Sequence, residues 1–166
     1  MAVNLRLMTD ADIDQVCAIQ QEAYVPDMVE ARAVLHGRLA ACGGTCWVAE
    51  DEYGLCAYLF AYRSLHGLVS PLGYAFRHAQ DADSLYLHDL AVSQRVAGQG
   101  VGALLVRLAL QQALACGLRY SCLVSVQSSK VFWNRLGYQE QDVADQAQRA
   151  SLDSYTGPAW YMVRAL

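Results

Sequence analysis

Three glycines alternate in the segment SQRVAGQGVGALLVRL, which covers residues 93–108 and lies between two apolar stretches. The preceding residues, SLYLHDLAV at 84–92, have the character of a β-strand, and the following leucines recur at helical spacing. Glycines at such a junction let another molecule approach the backbone closely, because they carry no Cβ. The first amides of a helix also lack partners within the helix and lie at its positive end. The segment therefore predicts a binding site for a phosphate or pyrophosphate.

The charge of the chain is distributed unevenly around these glycines. Between Leu90 and Gln139 there is no Asp or Glu, and five Lys or Arg residues give this stretch a charge of +5. The rest of the chain sums to −9, for a net charge of −4. A positive stretch in an acidic protein favours an anionic ligand. The basic residues are too dispersed for a nucleic-acid surface, so we expect no nucleic-acid partner.

Two common phosphate-binding motifs fit the glycine segment poorly. A Walker loop requires Gly-Lys followed by Ser or Thr, but Gly102 is followed by Ala103. The letters GQGVGA match the dinucleotide pattern G-x-G-x-x-A. That fold also requires an acidic residue about 20 residues further on, to hold a ribose. Since the chain has no acidic residue there, the sequence argues against a dinucleotide ligand.

The composition predicts a globular protein with neither a metal nor structural disulfides. The chain is 55% hydrophobic and 17% charged, which excludes disorder. It has six cysteines but no CxxC pair, and no histidine lies at ligand spacing from Cys42 and Cys46. Neither a signal peptide nor an apolar stretch long enough to cross a bilayer is evident. We therefore expect a cytoplasmic protein that has no membrane partner.

The predicted elements follow the order β-α-α-β-β-β-α-β-α-β-β, which is typical of an α/β domain with a mixed sheet. Strands are predicted at 3–9, 45–51, 54–64, 84–92, 119–126, 137–141 and 159–166, and helices at 10–24, 28–42, 101–116 and 128–136. The polar stretch that ends at Gly157 is predicted to be a loop. No repeat or linker divides the chain, so residues 1–166 are expected to form one domain.

Two segments resemble the signatures of one enzyme family. LHDLAVSQRVAGQGVGALLVRLAL, at 87–110, resembles the acyl-CoA-binding motif Q/R-x-x-G-x-G/A of the GNAT (Gcn5-related) N-acetyltransferases. VFWNRLGY, at 131–138, is similar to the family's second signature. The resemblance implies an α/β GNAT fold, with a mixed, mostly antiparallel sheet of about seven strands flanked by four helices. It also implies acetyl-CoA as cosubstrate, no metal, and a single acyl-CoA N-acyltransferase domain.

The resemblance assigns contacts to the acyl-CoA. The implied cofactor-binding residues are Leu90, Ala91, Val92, Arg95, Ala97, Gly98, Gln99, Gly100, Val101, Gly102, Ala103, Phe132 and Trp133. Backbone groups of Leu90 and Val92 would bond the pantetheine arm, and the amides from Ala97 to Ala103 would hold the pyrophosphate. The family's Gln or Arg falls on Ala97, whose methyl group cannot bond a phosphate, and Arg95 is the candidate substitute for that side chain.

The implied reaction is acetyl transfer to a primary amine by direct attack within a ternary complex. The implied catalytic residues are His88, Tyr86 and Leu90. The Leu90 amide would stabilise the oxyanion. The strand resembles that of GNAT enzymes with histidines at the positions of Tyr86 and His88, so His88 would accept the proton and Tyr86 would relay it. Strand alternation predicts that these two side chains share one face and that Asp89 takes the other.

The sequence leaves several alternatives open. His88 is either the general base or a structural residue. Asp89 is the second candidate base, on a face expected to be covered by a helix, and an ordered water is the third. Trp133 occupies the position at which many family members carry the tyrosine that reprotonates the CoA thiolate. This substitution favours a second function, a non-catalytic acyl-CoA-binding sensor. The acceptor remains a small amine, an amino acid, a peptide N-terminus or a protein lysine, and formation of a homodimer is left open.

Overall fold

The computed structural model describes residues 2–143 and 145–166. Their helices and strands follow in the predicted order, apart from one added helix. The elements are β1 (Asn4–Leu7), α1 (Ile13–Ala23), α2 (Arg32–Cys42), β2 (Trp47–Asp51), β3 (Gly54–Ser64), β4 (Ser84–Val92), α3 (Val101–Ala115), β5 (Tyr120–Val126), α4 (Lys130–Arg135), β6 (Gln139–Glu140), α5 (Gln146–Asp153) and β7 (Ala159–Ala165).

The strands form one seven-stranded sheet in the order β1-β2-β3-β4-β5-β7-β6. Only β4 and β5 are parallel neighbours, and the other adjacent strands run antiparallel. This arrangement confirms the predicted mixed, mostly antiparallel sheet of the GNAT fold. Both faces of the sheet are covered. Helix α3 buries Leu105 and Val106 on one face, and helices α1 and α2 bury Val16 and Leu35 on the other.

The structure contains five α-helices in the described part of the chain, rather than the four expected. The added helix, α5, lies in the polar stretch that was predicted to be a loop. Asp145 precedes this helix, and its carboxylate accepts a hydrogen bond from the Gln148 amide at 2.8 Å. Such a side-chain cap satisfies an amide that the helix itself leaves unpaired. The stretch has few apolar residues, which is why periodicity did not indicate the helix.

Helix α2 begins four residues later than predicted, at Arg32 instead of residue 28. The side chain of Gln20 holds the preceding segment in a different conformation. Its amide nitrogen donates to the Glu30 carbonyl at 3.0 Å, and its amide oxygen accepts from the Glu30 amide at 2.8 Å. These two bonds satisfy the Glu30 backbone outside any helix. The Glu30 side chain is thereby placed near the centre of the sheet.

Strands β4 and β5 separate halfway along their length. Their parallel pairing runs from Ser84 beside Tyr120 to Leu87 beside Leu123. Beyond these residues β4 continues to Val92, paired only with β3, and β5 continues to Val126, paired only with β7. The two strands therefore leave an opening between them at the ends that follow Leu87 and Leu123.

A β-bulge lies in β4 where this opening starts. Phe60 of β3 pairs with Asp89, but the next residue, Ala61, pairs with Leu87, so His88 is an additional residue in β4. An additional residue reverses the alternation of side chains beyond it. The prediction that Asp89 faces away from His88 was therefore wrong. Asp89 lies on the face covered by α1 and α2, where its carboxylate accepts a hydrogen bond from Tyr58.

Within the described residues, no helix has the length and apolar character needed to cross a membrane.

Candidate active site

A cavity of about 450 Å³ fills the opening between β4 and β5. Its walls come from four parts of the fold. They are residues Leu87–Val92 of β4, Val124 and Val126 of β5, Phe132 and Trp133 of α4, and Tyr24, Met28, Glu30, Leu72 and Tyr155 from the segments that cover the far end. His88 and Leu90, two of the three residues expected to act in catalysis, line this cavity, and Gly102 of the glycine segment lies beside its wall residues Val92 and Phe132.

The backbone of β4 offers unpaired groups to this cavity. The Ser93 amide donates to the Cys56 carbonyl of β3 at 2.8 Å. Because successive residues of an antiparallel strand direct their amides to opposite edges, Ala91 also faces β3, whereas Leu90 and Val92 face the opening. The Leu90 carbonyl accepts a hydrogen bond from the Tyr24 hydroxyl at 2.9 Å. The Leu90 and Val92 amides therefore point to where β5 would lie if the pairing continued.

The glycine segment forms a turn that ends at the start of α3. Gly98 and Gly100 have φ angles of +76° and +81°, a backbone region that other residues adopt only with strain. A Cβ at either position would meet no atom within 4 Å, so the turn is open on its outer side. The first turn of α3, Val101 to Ala103, leaves its amides without acceptors inside the helix. This end of the helix is suited to an anion.

Two of the amides expected to hold the pyrophosphate are already used in hydrogen bonds within the protein. The Ala97 amide donates to the Gln94 carbonyl, and the Gln99 amide donates to the Val96 carbonyl, each at 3.2 Å. Among the described hydrogen bonds, none uses the amides of Gly98 or Gly100. Of the amides from Ala97 to Ala103, those of Gly98, Gly100 and the first turn of α3 are therefore the ones left available to an anion.

Arg95 lies beside the glycine turn, but its guanidinium is directed elsewhere. It forms an ion pair with Asp51 and donates to the carbonyls of Gly54 and Leu55 at 3.1 Å. These partners belong to the hairpin between β2 and β3. The geometry therefore does not support the expectation that Arg95 takes the place of the family's Gln or Arg at the position of Ala97.

Gly102 serves packing, whereas Phe132 and Trp133 form a wall. A Cβ on Gly102 would lie 3.2 Å from Val92 Cγ2 and 3.6 Å from Phe132 Cζ, so α3 approaches β4 closely only without one. Trp133 packs edge-to-face on Phe132 and Tyr138, with ring centroids 4.9 and 5.4 Å apart. Trp133 is 7% exposed and also lines the cavity, so it is at once a core residue and a wall residue.

His88 contacts a buried ion pair at the other end of the cavity. Glu30 and Arg38 form a bidentate pair, and His88 Nε2 lies 3.2 Å from Glu30 Oε1. The Gly73 amide donates to Glu30 Oε2 at 2.7 Å, and Arg38 donates twice to the Tyr74 carbonyl. Burial raises the pKa of Glu30, but hydrogen bonds from His88 and Arg38 outweigh it and lower that pKa to about 2.

The ionised Glu30 determines which nitrogen of His88 carries a hydrogen. A carboxylate accepts hydrogen bonds, so the nitrogen that faces it, Nε2, is the donor. The neutral imidazole then has its lone pair on Nδ1. Nδ1 is buried and has no hydrogen-bond partner among the described residues. His88 therefore presents a proton-accepting atom that the protein itself leaves unused.

Asp89 is the second polar side chain on this wall. It is 6% exposed, and its Oδ2 accepts from the Tyr58 hydroxyl at 2.8 Å. Its Oδ1 is buried, and the described residues provide no partner for it. Burial raises the pKa of Asp89, and this effect is opposed first by the nearby His88 and then by the hydroxyls of Tyr24 and Tyr58. Because the bulge reverses the alternation, Asp89 and His88 lie on the same face of the sheet.

Tyr86 is placed behind the cavity rather than in its wall. It is fully buried, its ring lies 5.4 Å from that of Tyr62, and its hydroxyl has no partner among the described residues. Two other tyrosines line the cavity: Tyr24, described above, and Tyr155, whose hydroxyl donates to the Ser70 carbonyl at 2.7 Å. The geometry favours these two tyrosines over Tyr86 for contact with a ligand.

Sequence reasoning missed the role of Glu30 and Arg38. Charged residues are expected at the surface, yet both side chains are buried in the structure. Neither hydropathy nor spacing indicates that residues eight positions apart face each other across a turn and the start of a helix. Their one sequence signal is a charged residue on the apolar side of α2, where Arg38 follows Leu35 by three positions.

The described residues contain no group of three or more His, Cys, Asp or Glu that could hold a metal ion.

Three comparisons relate the chain to known proteins. Residues 13–138 match a family model described as the Acetyltransferase (GNAT) family. No curated protein matches the sequence. The loading GNATL domain of CurA from Lyngbya majuscula has a TM-score of 0.76 at 12% identity, over 98% of this chain and 96% of that one.

Two further solved structures contain a ligand. The GphF GNAT-like decarboxylase in complex with isobutyryl-CoA has a TM-score of 0.73 at 17% identity, over 98% of each chain. The PaiA N-acetyltransferase from Thermoplasma acidophilum, in complex with coenzyme A, has a TM-score of 0.72 at 12% identity, over 100% of each chain. At these identities the likeness establishes the fold alone.

Replacing each buried carboxylate by the amide of the same shape, Glu30→Gln or Asp89→Asn, should change the free energy of unfolding differently at pH 7. Glu30 has a lowered pKa, so its charge stabilises the fold above its ordinary pKa of 4.5, and this contribution is lost as the pH falls towards about 2. Glu30→Gln leaves Arg38 uncompensated and should cost about 3–5 kcal/mol at pH 7. Asp89 has a raised pKa, so its ionisation opposes folding as the pH rises. Asp89→Asn should therefore be neutral or stabilising at pH 7.

Urea unfolding of both variants at pH 7 and pH 4 measures this difference. The loss of unfolding free energy caused by Glu30→Gln should be smaller at pH 4 than at pH 7. Any increase in unfolding free energy caused by Asp89→Asn should also be smaller at pH 4. An equal loss of stability for the two variants at pH 7 would contradict the lowered pKa of Glu30 and the raised pKa of Asp89.

Proposed function

Because the chain belongs to the GNAT acetyltransferase family, we propose that it transfers the acetyl group of acetyl-CoA to a primary amine, by direct attack in a ternary complex. We further propose that residues 1–166 act as one acyl-CoA N-acyltransferase domain. One observation carries the proposal: the cavity joins the unpaired edge of β4 to His88 Nδ1, a buried acceptor that has no partner among the described residues.

The donor side of the cavity fits an acyl-CoA. Gly98, Gly100 and the first turn of α3 present unpaired amides that suit a pyrophosphate. The Val92 amide would bond the pantetheine arm in the way that an added strand bonds a sheet edge. Phe132 and Trp133 provide an apolar wall beside that arm. A thioester placed along β4 then lies next to Leu90, on the route to His88.

The acceptor side supplies the proton transfer. A primary amine has an ordinary pKa of about 10.4 and arrives as an ammonium ion. His88 Nδ1 takes one proton and frees the lone pair, which forms the N–C bond. The Leu90 amide would stabilise the oxyanion. As the C–S bond breaks, the departing thiolate would take up the second proton that the amine nitrogen must lose to become an amide. A thiolate is a tolerable leaving group, because the pKa of an alkyl thiol is about 8.5. Glu30 acts as a positioning residue that fixes the tautomer of His88.

The second candidate function is a non-catalytic acyl-CoA sensor. Trp133 favours it, because this indole cannot protonate the leaving thiolate as the family's tyrosine does. Tyr24 and Tyr155 also line the cavity, but their hydroxyls donate to the carbonyls of Leu90 and Ser70. We place catalysis first because a thiolate is a tolerable leaving group without an acid. Release of free thiol from acetyl-CoA in the presence of amines separates the two functions, since a sensor releases none.

The expected pyrophosphate site at Gly100 can be tested with two substitutions of nearly equal size. Asn and Asp both tolerate the left-handed conformation of Gly100 better than other side chains do. Gly100→Asp places a negative charge beside the expected pyrophosphate, whereas Gly100→Asn places none. We expect Gly100→Asp to bind coenzyme A about tenfold more weakly than Gly100→Asn, as measured by titration calorimetry at low salt. Added salt should narrow the difference. Equal affinities of the two variants would exclude the pyrophosphate from this turn.

The second prediction concerns the proton acceptor. His88→Ala should bind coenzyme A with unchanged affinity and turn over acetyl-CoA about 10²-fold more slowly, with the acidic limb of the pH–rate profile lost. His36→Ala is the matched control, because His36 is exposed and lies outside the cavity. It should behave like the unmodified chain. If His88→Ala keeps the acidic limb, another group accepts the proton.

A further inference from the structure

Asp89 is a buried carboxylate on the cavity wall with one oxygen unused. Its Oδ2 accepts the Tyr58 hydroxyl, while Oδ1 has no partner in the part of the chain that the structure describes. Neither oxygen forms an ion pair with a described Lys or Arg. Glu30, by contrast, is fully engaged by Arg38, His88 and the Gly73 amide. Asp89 is therefore the acidic group of the cavity that is left for a ligand.

An unpaired buried carboxylate is costly to a folded protein, and a ligand with a positive charge removes that cost. The lining of the cavity restricts that ligand further. Its described ionisable residues are Glu30, His88, Asp89 and the tyrosines, and it includes no Lys or Arg. The nearest buried cation, Arg38, is 0% exposed and saturated by Glu30 and the Tyr74 carbonyl. A carboxylate on the acceptor would thus face Asp89 and Glu30 with no counter-charge.

The segments that cover this end of the cavity also limit the size of the acceptor. The link between β3 and β4 is bonded to the region of α5: the Val69 amide donates to Gln148 at 2.6 Å, and the Leu72 amide donates to Ser154 at 3.0 Å. Together with the bond from Tyr155 to Ser70, these contacts hold Leu72 over the cavity. Met28 provides a second apolar wall. About 450 Å³ must accommodate both the thioester end of the donor and the acceptor.

We infer that the acceptor is a compact primary amine without a carboxylate, whose ammonium group binds Asp89 Oδ1 before His88 accepts its proton. The inference rests on the proposed function and names the class of its second substrate. In the step itself one N–H bond breaks, the proton moves to His88 Nδ1, and the lone pair that remains on nitrogen attacks the thioester carbon. The alkyl part of the amine lies against Met28 and Leu72.

Three probes of matched shape test the inference by binding alone. n-Pentylamine carries the ammonium group, norleucine is the same amine with a carboxylate added, and 1-pentanol replaces the ammonium group by a hydroxyl. Each is titrated into the full chain saturated with coenzyme A, which cannot react. We expect n-pentylamine to bind at least tenfold more tightly than either of the others.

Asp89→Asn should weaken the binding of n-pentylamine about tenfold and leave the affinity for coenzyme A unchanged. The asparagine keeps an oxygen that can accept from Tyr58. Equal binding of n-pentylamine and norleucine, no binding of n-pentylamine, or an unchanged affinity in Asp89→Asn each overturns the inference. The comparison of the three probes uses the unmodified chain, so it tests the preference for an amine without a carboxylate even if Asp89→Asn fails to fold.

Thiol release from acetyl-CoA, measured with the two amines, separates this inference from the proposed function. Release with norleucine at a rate equal to that with n-pentylamine leaves acetyl transfer standing and overturns the substrate class. Binding of n-pentylamine that depends on Asp89, without release of thiol from acetyl-CoA in the presence of either amine, supports the amine site and overturns acetyl transfer.

Discussion

The separation of β4 from β5 after Leu87 and Leu123 determines where this molecule can bind a ligand. Backbone amides that lose their sheet partner near the core need another acceptor. Here the Leu90 and Val92 amides face a cavity, and the glycine turn that follows β4 presents further unpaired amides. An extended ligand with an anionic end satisfies both sets of amides at once. Under the proposed function, the donor would lie along β4 with its phosphate end at α3.

The bulge at His88 determines the chemistry at the other end of the cavity. It turns Asp89 towards the face that already holds His88, so two buried polar groups lie together, each with an atom that has no hydrogen-bond partner among the described residues. The ion pair between Glu30 and Arg38 stabilises this arrangement and fixes the tautomer of His88. In the proposed site the two carboxylates would have different functions: Glu30, which is saturated, would hold the histidine, and Asp89 would bind the acceptor.

Much of this structure could be predicted from the sequence because its signals are local. Alternation indicated β4, and the glycines before α3 indicated a turn at which the backbone is exposed. Three features could not be predicted, because each depends on contacts distant in sequence. The bulge that turns Asp89 is a property of the pairing of β4 with β3. The pairing of Glu30 with Arg38 depends on the two hydrogen bonds between the Gln20 side chain and the Glu30 backbone. The ion pair of Arg95 with Asp51 depends on the position of the hairpin between β2 and β3.

Binding of the acyl donor along the unpaired edge of β4 can be tested at single residues. Amide hydrogen exchange, followed by NMR with and without coenzyme A, reports each amide of β4 separately. The Ala91 amide faces β3 and should exchange slowly in both conditions. The Leu90 and Val92 amides should exchange faster in the free protein and become slow when coenzyme A is added. Exchange at Leu90 and Val92 that coenzyme A leaves unchanged, in a protein that binds it, would contradict the account.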